Sequence, residues 1–144
     1  MLKLVSLNKR DKVHIKFLFE LLKQKSFQIS HTNMPTYEEH LEFVLNHPYR
    51  YWYIIQKLNK FIGSVYLTEE NIIGLNLYPK IENDYIKVIE LITNLHKPLP
   101  PKKSIRSRYF QVNVHPKNNI LIRALESIAM IHIQNTYILK KNDL

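Results

Sequence analysis

The stretch that decides the fold is FIGSVYLTEENIIGLNLYP, residues 61–79. It contains both glycines of the chain, Gly63 and Gly74, each inside an apolar, β-branched run. In each run apolar residues recur at a period near two, and the polar tetrad TEEN at 68–71 separates the runs. This pattern predicts an antiparallel hairpin whose second strand is buried on both faces. A glycine inside a strand marks a bulge or a close approach by another backbone or a ligand, or it relieves crowding in a twisted sheet.

The composition is that of one globular domain over residues 1–144. Hydrophobic residues make up 45% and charged residues 23% of the chain, which excludes extended disorder. There is no cysteine, so disulfides, thiolate metal sites and a cysteine nucleophile are excluded. The N-terminus has no signal-peptide pattern and no apolar run approaches the ~20 residues of a membrane span. We therefore expect a cytoplasmic protein with no membrane association.

The formal charge of +9 is carried mostly by scattered lysines, and the densest basic cluster lies within residues 97–108. A basic surface attracts phosphorylated small molecules, anionic lipid or nucleic acid. Because the charges are spread, a solvated basic surface is the favoured interpretation. A phosphate-bearing small molecule comes second, and nucleic acid is the least favoured partner.

The periodicities on either side of the hairpin predict an alternation of strands and helices. Strands are predicted at residues 2–7, 51–57, 109–114 and 131–139. Helices are predicted to open at Asn8, at the capping box formed by Thr36 and Glu39, at Asn83 or Asp84, and at Pro116. The proline-rich stretch 97–107 is expected to be an extended basic loop. The order predicts an α/β fold: a mixed, mostly antiparallel sheet of about six strands with helices on both faces.

Six short segments, in this order, resemble the GNAT superfamily of acyl-CoA-dependent N-acetyltransferases, and more narrowly bacterial members that acetylate amino sugars. They are ISHTNMPTYEEHLEFV (29–44), HPYRYWYII (47–55), FIGSVYL (61–67), IIGLNLYP (72–79), VHPKNN (114–119) and IQNTYIL (133–139). The resemblance covers nearly the whole chain. It implies a splayed pair of parallel strands at the centre of the sheet, with the cofactor's pantetheine arm in the gap like an added strand.

The resemblance implies acetyl-CoA as cofactor, but the diphosphate loop departs from the family pattern. The pantetheine arm would bond to backbone groups near Leu75 and Leu77, and Asn118 would contact the same arm. The diphosphate would lie at the start of the following helix. There Glu82 stands in the family's Arg or Gln position, and Tyr85 and Lys87 stand in its glycine positions. A carboxylate and two bulky side chains oppose a close approach of phosphate. The whole implied cofactor set is Leu75, Leu77, Glu82, Asn83, Asp84, Tyr85, Lys87 and Asn118.

Candidates for the acetyl-transfer chemistry lie elsewhere in the chain, because Ile72 and Leu125 occupy the family's general-base and general-acid positions. Histidine suits the base role, since its reference pKa of ~6.5 lies near neutrality. His31 and His40 match the amino-sugar subgroup, and Tyr137 supplies a hydroxyl. For His40 a solvent-facing helix position is the competing interpretation. The histidines show no paired ligand spacing, so no metal site is expected.

Aromatic residues near the second strand are candidates for substrate binding. Tyr49 and Trp52 are placed to stack on a sugar or a nucleotide base. For Trp52, a core position is the more common role of such a residue.

Two functions follow from these residues. The first is transfer of acetyl from acetyl-CoA to the amine of a small acceptor, a nucleotide-linked amino sugar. The second is a GNAT-shaped domain that has lost catalysis and acts as a binding or assembly module. It is motivated by the joint departures at 72, 82, 85, 87, 121 and 125. A homodimer is left open.

Overall fold

The computed structural model describes residues 1–25 and 34–141. These residues form five strands: β1 Leu2–Ser6, β2 Tyr51–Lys57, β3 Lys60–Leu67, β4 Ile72–Leu77 and β5 Gln111–Val112. The same described residues form four helices: α1 Lys12–Lys23, α2 Tyr37–Asn46, α3 Glu82–Leu95 and α4 Asn119–Ser127. The strands lie in the order β1-β2-β3-β4-β5, antiparallel except for the parallel pair β4 and β5. The predicted fold class is confirmed.

The hairpin that opens the sequence analysis forms β3 and β4 as expected. Leu67 pairs with Ile73 and Gly63 pairs with Leu77 across it. β4 is less buried than predicted, because only Ile73 and Leu77 are fully covered. The other face of β4 is half-buried, so this strand does not lie between two complete helical layers.

The end of the chain corrects the strand count. Residues 131–139 were predicted as a last strand, but residues 131–141 carry no regular structure and are exposed. The strand predicted at 109–114 is reduced to Gln111–Val112. Because the part of the chain that the structure describes has no strand beyond β5, the parallel pair lies at an edge of the sheet rather than at its centre.

The helices pack on opposite faces of the sheet. One core joins α3 and α4 to the sheet through buried residues such as Val88, Leu121 and Leu67. The second core joins α1 and α2 to the other face through Ile15, Val44 and neighbouring residues. α2 starts at the predicted capping box: the Glu39 N–H donates to Thr36 Oγ1, and the Glu39 carboxylate accepts from the Thr36 N–H.

One buried polar side chain attaches the basic loop to the hairpin. Asn71, in the turn between β3 and β4, has a positive φ of 66° and is fully buried. Its Nδ2 donates to the carbonyl oxygens of Leu99 and Ser107 at 2.9 and 2.8 Å, and its Oδ1 accepts from the Leu99 N–H at 2.7 Å. Arg106 adds bonds to the carbonyls of Pro100 and Glu69. The loop is therefore held at both ends, although it has no strand or helix of its own.

Candidate active site

The short pairing between β4 and β5 is the feature on which the candidate site depends. The two strands pair only through Ile72 with Gln111 and Ile73 with Val112. Residues 74–77 of β4 continue beyond this contact, and on their other side they pair with β3. The strands are therefore not joined along their length, as the sequence analysis requires. The β4 edge past Ile73 can accept an extended ligand as a further strand.

Both glycines are explained by contacts inside the sheet. A Cβ at Gly74 would overlap the ring of Tyr66, which lies directly across the hairpin. A Cβ at Gly63 would overlap the Asn76 carbonyl oxygen, and the register between β2 and β3 shifts next to it, between Ile55 and Gln56. The predicted bulge is present at Gly63. At Gly74 the close neighbour is an aromatic ring of the chain itself.

The start of α3 differs from an open anion site. Its N-cap is Ile81, which has no capping side-chain bond, and not the predicted Asn83 or Asp84; the helix begins at Glu82. Glu82 accepts a hydrogen bond from Arg123 Nε of α4 at 3.1 Å. Asp84 was expected to be a capping or cofactor residue. It is buried, and both of its carboxylate oxygens accept from Lys57 Nζ, at 3.0 and 2.9 Å.

Two further residues of the implied cofactor set connect α3 to α4. Tyr85 is fully buried and its hydroxyl is hydrogen-bonded to the side chain of Asn118. Burial raises the pKa of Tyr85, and the bond to Asn118 partly opposes that shift. Asn118 also caps α4, because its Oδ1 accepts from the Leu121 N–H at 3.3 Å. The Tyr85 side chain thus fills the space between the two helices.

The other members of the predicted cofactor set have less specific surroundings. Asn83 and Lys87 are exposed on α3. Leu77 is buried in the core and Leu75 is half-buried against it. The side chains of Leu75 and Leu77 face the core. A strand-like ligand at the β4 edge would therefore contact the backbone N–H and C=O groups of these residues.

The predicted catalytic residues are not brought together. His31 lies outside the described residues. His40 is buried at 4% exposure, and its Nε2 lies 3.2 Å from the Ile15 carbonyl oxygen, so it joins α2 to α1. Burial lowers the pKa of His40, which favours the neutral imidazole, and the bond to Ile15 opposes the shift. Tyr137 is 89% exposed in the segment that follows α4.

The predicted substrate residues belong to an aromatic cluster on the face that carries α1 and α2. The ring of Tyr49 stacks on Tyr66 with centroids 3.9 Å apart and planes 7° apart. Trp52 packs edge-on against both rings and its Nε1 is buried without a hydrogen-bond partner among the described residues. Burial raises the pKa of Tyr49, and Tyr66 adds to the shift. Tyr49 therefore remains protonated and can donate a hydrogen bond.

A polar pocket of about 340 Å³ lies beside this cluster. Basic side chains are present on its wall, which is lined by Ser6, Leu7, Lys9, His47, Tyr49, Arg50, Tyr51, Trp52 and Tyr53. Desolvation lowers the pKa of His47, and Lys9 adds to the effect. The pocket thus combines aromatic rings with the basic side chains of Lys9 and Arg50.

Sequence reasoning missed three residues of this region. Tyr66 could have been found from the hairpin register, because a large ring often covers a glycine on the neighbouring strand. Lys57 and Arg123 carry no sequence signal, since their partners Asp84 and Glu82 are 27 and 41 residues away. Within residues 1–25 and 34–141, no group of three or more His, Asp or Glu side chains could hold a metal ion, and no helix is long and apolar enough to cross a membrane.

Solved structures of acetyltransferases share this architecture. The chain superposes on the aminoglycoside N-acetyltransferase AAC(6')-Iy in complex with CoA with a TM-score of 0.60, over 99% of this chain and 95% of that one, at 14% identity. The fold is that of acetyltransferases. Campylobacter jejuni PseH in complex with acetyl coenzyme A gives a TM-score of 0.58 at 14% identity, over 94% and 92% of the two chains.

An aminoglycoside acetyltransferase from an uncultured soil metagenomic sample, in complex with sisomicin, gives a TM-score of 0.59 at 14% identity, over 96% and 95% of the two chains. No protein-family model matches the sequence. No curated protein matches it either. At this identity the likeness shows the fold.

Proposed function

We propose that the protein is an N-acetyltransferase that moves an acetyl group from acetyl-CoA to the amine of a small acceptor, a nucleotide-linked amino sugar. The observation that carries this proposal is the β4 edge at residues 74–77, which continues beyond its two-pair contact with β5. Peptide groups on such an edge bind a pantetheine arm whatever the side chains are. The fold shared with structures solved in complex with CoA and with acetyl-CoA supports the same assignment.

The polar pocket supports the class of acceptor. Tyr49 and Trp52 border it with aromatic surface, and Lys9 and Arg50 border it with positive charge. A nucleotide diphosphate linked to a sugar offers a flat base and two phosphates, which suit those two kinds of group. The amine would be the group directed toward the β4 edge.

The reaction is direct attack by the amine nitrogen on the thioester carbonyl. A C–N bond forms, the C–S bond breaks, and the thiolate leaves and takes up a proton. Before attack the ammonium gives a proton to a base, and backbone N–H groups stabilise the oxyanion. His31 and His40 remain our candidates for the base. Burial favours the proton-accepting neutral form of His40. Tyr137 remains the candidate acid.

The start of α3 sets the condition for cofactor binding. Glu82 places a carboxylate where the diphosphate of acetyl-CoA would lie, and its ion pair with Arg123 balances that charge. If the diphosphate binds at the start of α3, Arg123 either leaves Glu82 and contacts the phosphates, or it stays on Glu82 and the diphosphate lies away from the helix start. We therefore expect weaker binding, with a larger dissociation constant, than at a site where the N–H groups at the helix start are free.

Isothermal titration with acetyl-CoA tests the proposal. We expect saturable binding at millimolar cofactor or below, and tighter binding by Glu82→Gln, which removes the carboxylate and leaves Arg123 available. Glu90→Gln, the same change at an exposed position further along the same helix, is the matched control and should change affinity little. Absence of heat from the wild type and from Glu82→Gln at millimolar acetyl-CoA would refute the proposal.

The second candidate, a fold that has lost catalysis, is favoured by one observation. Tyr85 is fully buried and bonded to Asn118, so the space beside the helix start is filled by the protein itself. The triple change Glu82→Arg, Tyr85→Gly and Lys87→Gly restores the family pattern. Binding that appears only in the triple variant would assign the natural chain to this second class. Binding by the wild type would reject it.

A further inference from the structure

The basic loop contains a tight turn that presents one apolar side chain to solvent. Lys102 and Arg106 pair with each other through backbone hydrogen bonds in both directions, with N···O distances of 3.0 and 2.8 Å. The Ile105 N–H also donates to the Lys102 carbonyl at 3.0 Å, and Ser104 has a φ of 65°. Residues 103–105 therefore form the tip of the loop, and the Ile105 side chain is 70% exposed there.

The backbone on both sides of this tip is anchored. Arg106 donates from Nε to the Pro100 carbonyl at 2.7 Å and from Nη1 to the Glu69 carbonyl at 3.0 Å. The buried Asn71 holds both ends of the loop. Because these bonds fix the turn, Ile105 stays exposed instead of packing into the core. Water is an unfavourable surrounding for such a side chain, so a surface outside the chain that covers it gains free energy.

Basic side chains flank the exposed isoleucine. Residues 97–109 contain five basic side chains and no acidic one. Lys102, Lys103 and Arg108 are exposed. The guanidinium of Arg108 lies 5.1 Å from the centre of the Tyr109 ring, and this ring is also exposed. The loop thus combines positive charge with one aliphatic and one aromatic side chain in solvent.

Two carboxylates lie on the neighbouring turn. Glu69 and Glu70 are exposed, and the bond from Arg106 to the Glu69 carbonyl joins their turn to the loop. They reduce the positive potential at this end of the molecule. The five basic side chains of the loop outnumber them, so the net charge of the surface remains positive.

This combination suits an anionic bilayer better than a nucleic acid. Anionic headgroups attract Lys and Arg, and the hydrocarbon below them takes up an apolar side chain. Tyrosine is enriched at the same depth of a bilayer. A nucleic acid binds basic side chains through its phosphates and aromatic side chains through its bases. It has no comparable place for an aliphatic side chain at the tip of a turn.

We propose that residues 102–109 dock on a membrane surface that carries anionic lipid. Ile105 enters the boundary between headgroups and hydrocarbon. Lys102, Lys103 and Arg108 contact the lipid phosphates. Docking of this kind needs no segment that crosses the bilayer, so it replaces the expectation of no membrane association, which rested on the lack of a spanning segment. None of these residues belongs to the candidate active site, so the docking does not depend on acetyl transfer.

Sedimentation with vesicles tests the charge contribution. We expect the full chain to sediment with vesicles that contain phosphatidylglycerol and not with vesicles of phosphatidylcholine alone. Each basic side chain at such a surface changes the partition coefficient about fivefold, so Lys102→Gln with Lys103→Gln should weaken binding about 25-fold. Lys12→Gln with Lys16→Gln makes the same charge change on the exposed face of α1 and should weaken it far less. Equal weakening by the two pairs would show diffuse attraction and would overturn the proposal.

The isoleucine separates insertion from charge attraction. Ile105→Ser keeps every charge but removes hydrocarbon, so it should weaken vesicle binding about tenfold, and Ile105→Leu should bind like the natural chain. Because the chain has no cysteine, Ile105→Cys can carry a single environment-sensitive dye. Its emission should shift to the blue with phosphatidylglycerol vesicles, whereas the same dye on Lys12→Cys should not shift. Unchanged emission at position 105, or full binding by Ile105→Ser, would contradict insertion.

A single-stranded oligonucleotide supplies the competing partner. We expect vesicle binding to be retained in the presence of the oligonucleotide at the same phosphate concentration. If the chain gives a salt-dependent gel shift with the oligonucleotide and does not sediment with phosphatidylglycerol vesicles, then the loop fits a nucleic acid and the proposal is wrong.

Discussion

Asn71 gives the sharpest test of how the hairpin holds the basic loop. Its side chain makes three hydrogen bonds of 2.7–2.9 Å to Leu99 and Ser107, and it is fully buried. Each such bond contributes about 1 kcal/mol net. A φ of 66° costs a residue such as alanine roughly another 1 kcal/mol. We therefore expect Asn71→Ala to lower the free energy of unfolding by about 4 kcal/mol.

Three variants separate these contributions. Asn71→Gly loses the hydrogen bonds but accepts the backbone angle, so it should be about 1 kcal/mol more stable than Asn71→Ala. Asn71→Asp keeps the acceptor for Leu99 but turns an oxygen toward two carbonyl oxygens. The free energy of unfolding lost in Asn71→Asp should approach the loss in Asn71→Ala. Asn59→Ala is the control, because Asn59 is exposed and has a φ of 63°, so it should cost about 1 kcal/mol.

Urea unfolding followed by circular dichroism measures these differences. Trypsin supplies a local measurement, because Lys102, Lys103 and Arg108 lie in the loop and are exposed. Release of the loop by Asn71→Ala should speed cleavage there under native conditions. If Asn71→Ala costs no more than Asn59→Ala, then the three hydrogen bonds contribute nothing net and the argument is refuted.

Three further predictions concern stability. Lys57→Met should lower the free energy of unfolding, measured in urea, by about 3–5 kcal/mol, because it leaves the Asp84 carboxylate buried and unpaired. The double variant Lys57→Met with Asp84→Leu should recover most of that free energy. Gly74→Ala should lower the thermal midpoint because its Cβ meets the Tyr66 ring, and Tyr66→Leu should relieve this; a tolerated Gly74→Ala would contradict the contact. Burial lowers the pKa of His40 in the folded state, so the unfolded state binds more protons below pH ~6.5 and stability should fall as the pH drops from ~6.5 toward the folded pKa. His40→Gln should reduce the change in urea midpoint between pH 7.5 and 5; the remaining change is expected from His47 and His96, whose pKa values are also lowered by burial.

The sequence predicts the hairpin, the first strands and the helices because their signals are local. Apolar alternation in residues 61–77 and the Thr36–Glu39 capping box depend on neighbours within a few positions, and both are present in the structure. Residues 131–139 show the limit of such signals. Alternation reports that a segment can form a strand, but a strand also needs a partner, and no described residue of the same chain supplies one.

The candidate site was predictable only where backbone geometry decides it. The resemblance implies parallel strands that are joined over only part of their length, and β4 and β5 pair at two positions, Ile72 with Gln111 and Ile73 with Val112. The surroundings of Asp84 and Tyr85 were not predictable, because contacts of helix residues with Lys57 and Asn118 join positions 27 and 33 residues apart. His40 shows the same limit: its helix was predicted, but its contact with Ile15 depends on how α2 crosses α1.

The chain has a single tryptophan, and its position in the aromatic cluster makes it a natural optical probe. Trp52, Tyr66 and Gly74 form one row across β2, β3 and β4, so the indole lies two strands from the β4 edge. Excitation energy absorbed by Tyr49 and Tyr66 transfers to Trp52 over these short distances. A group that packs on the face of Gly74 covered by Tyr66 must move that ring, and the wavelength of the indole emission would record the movement without any added label.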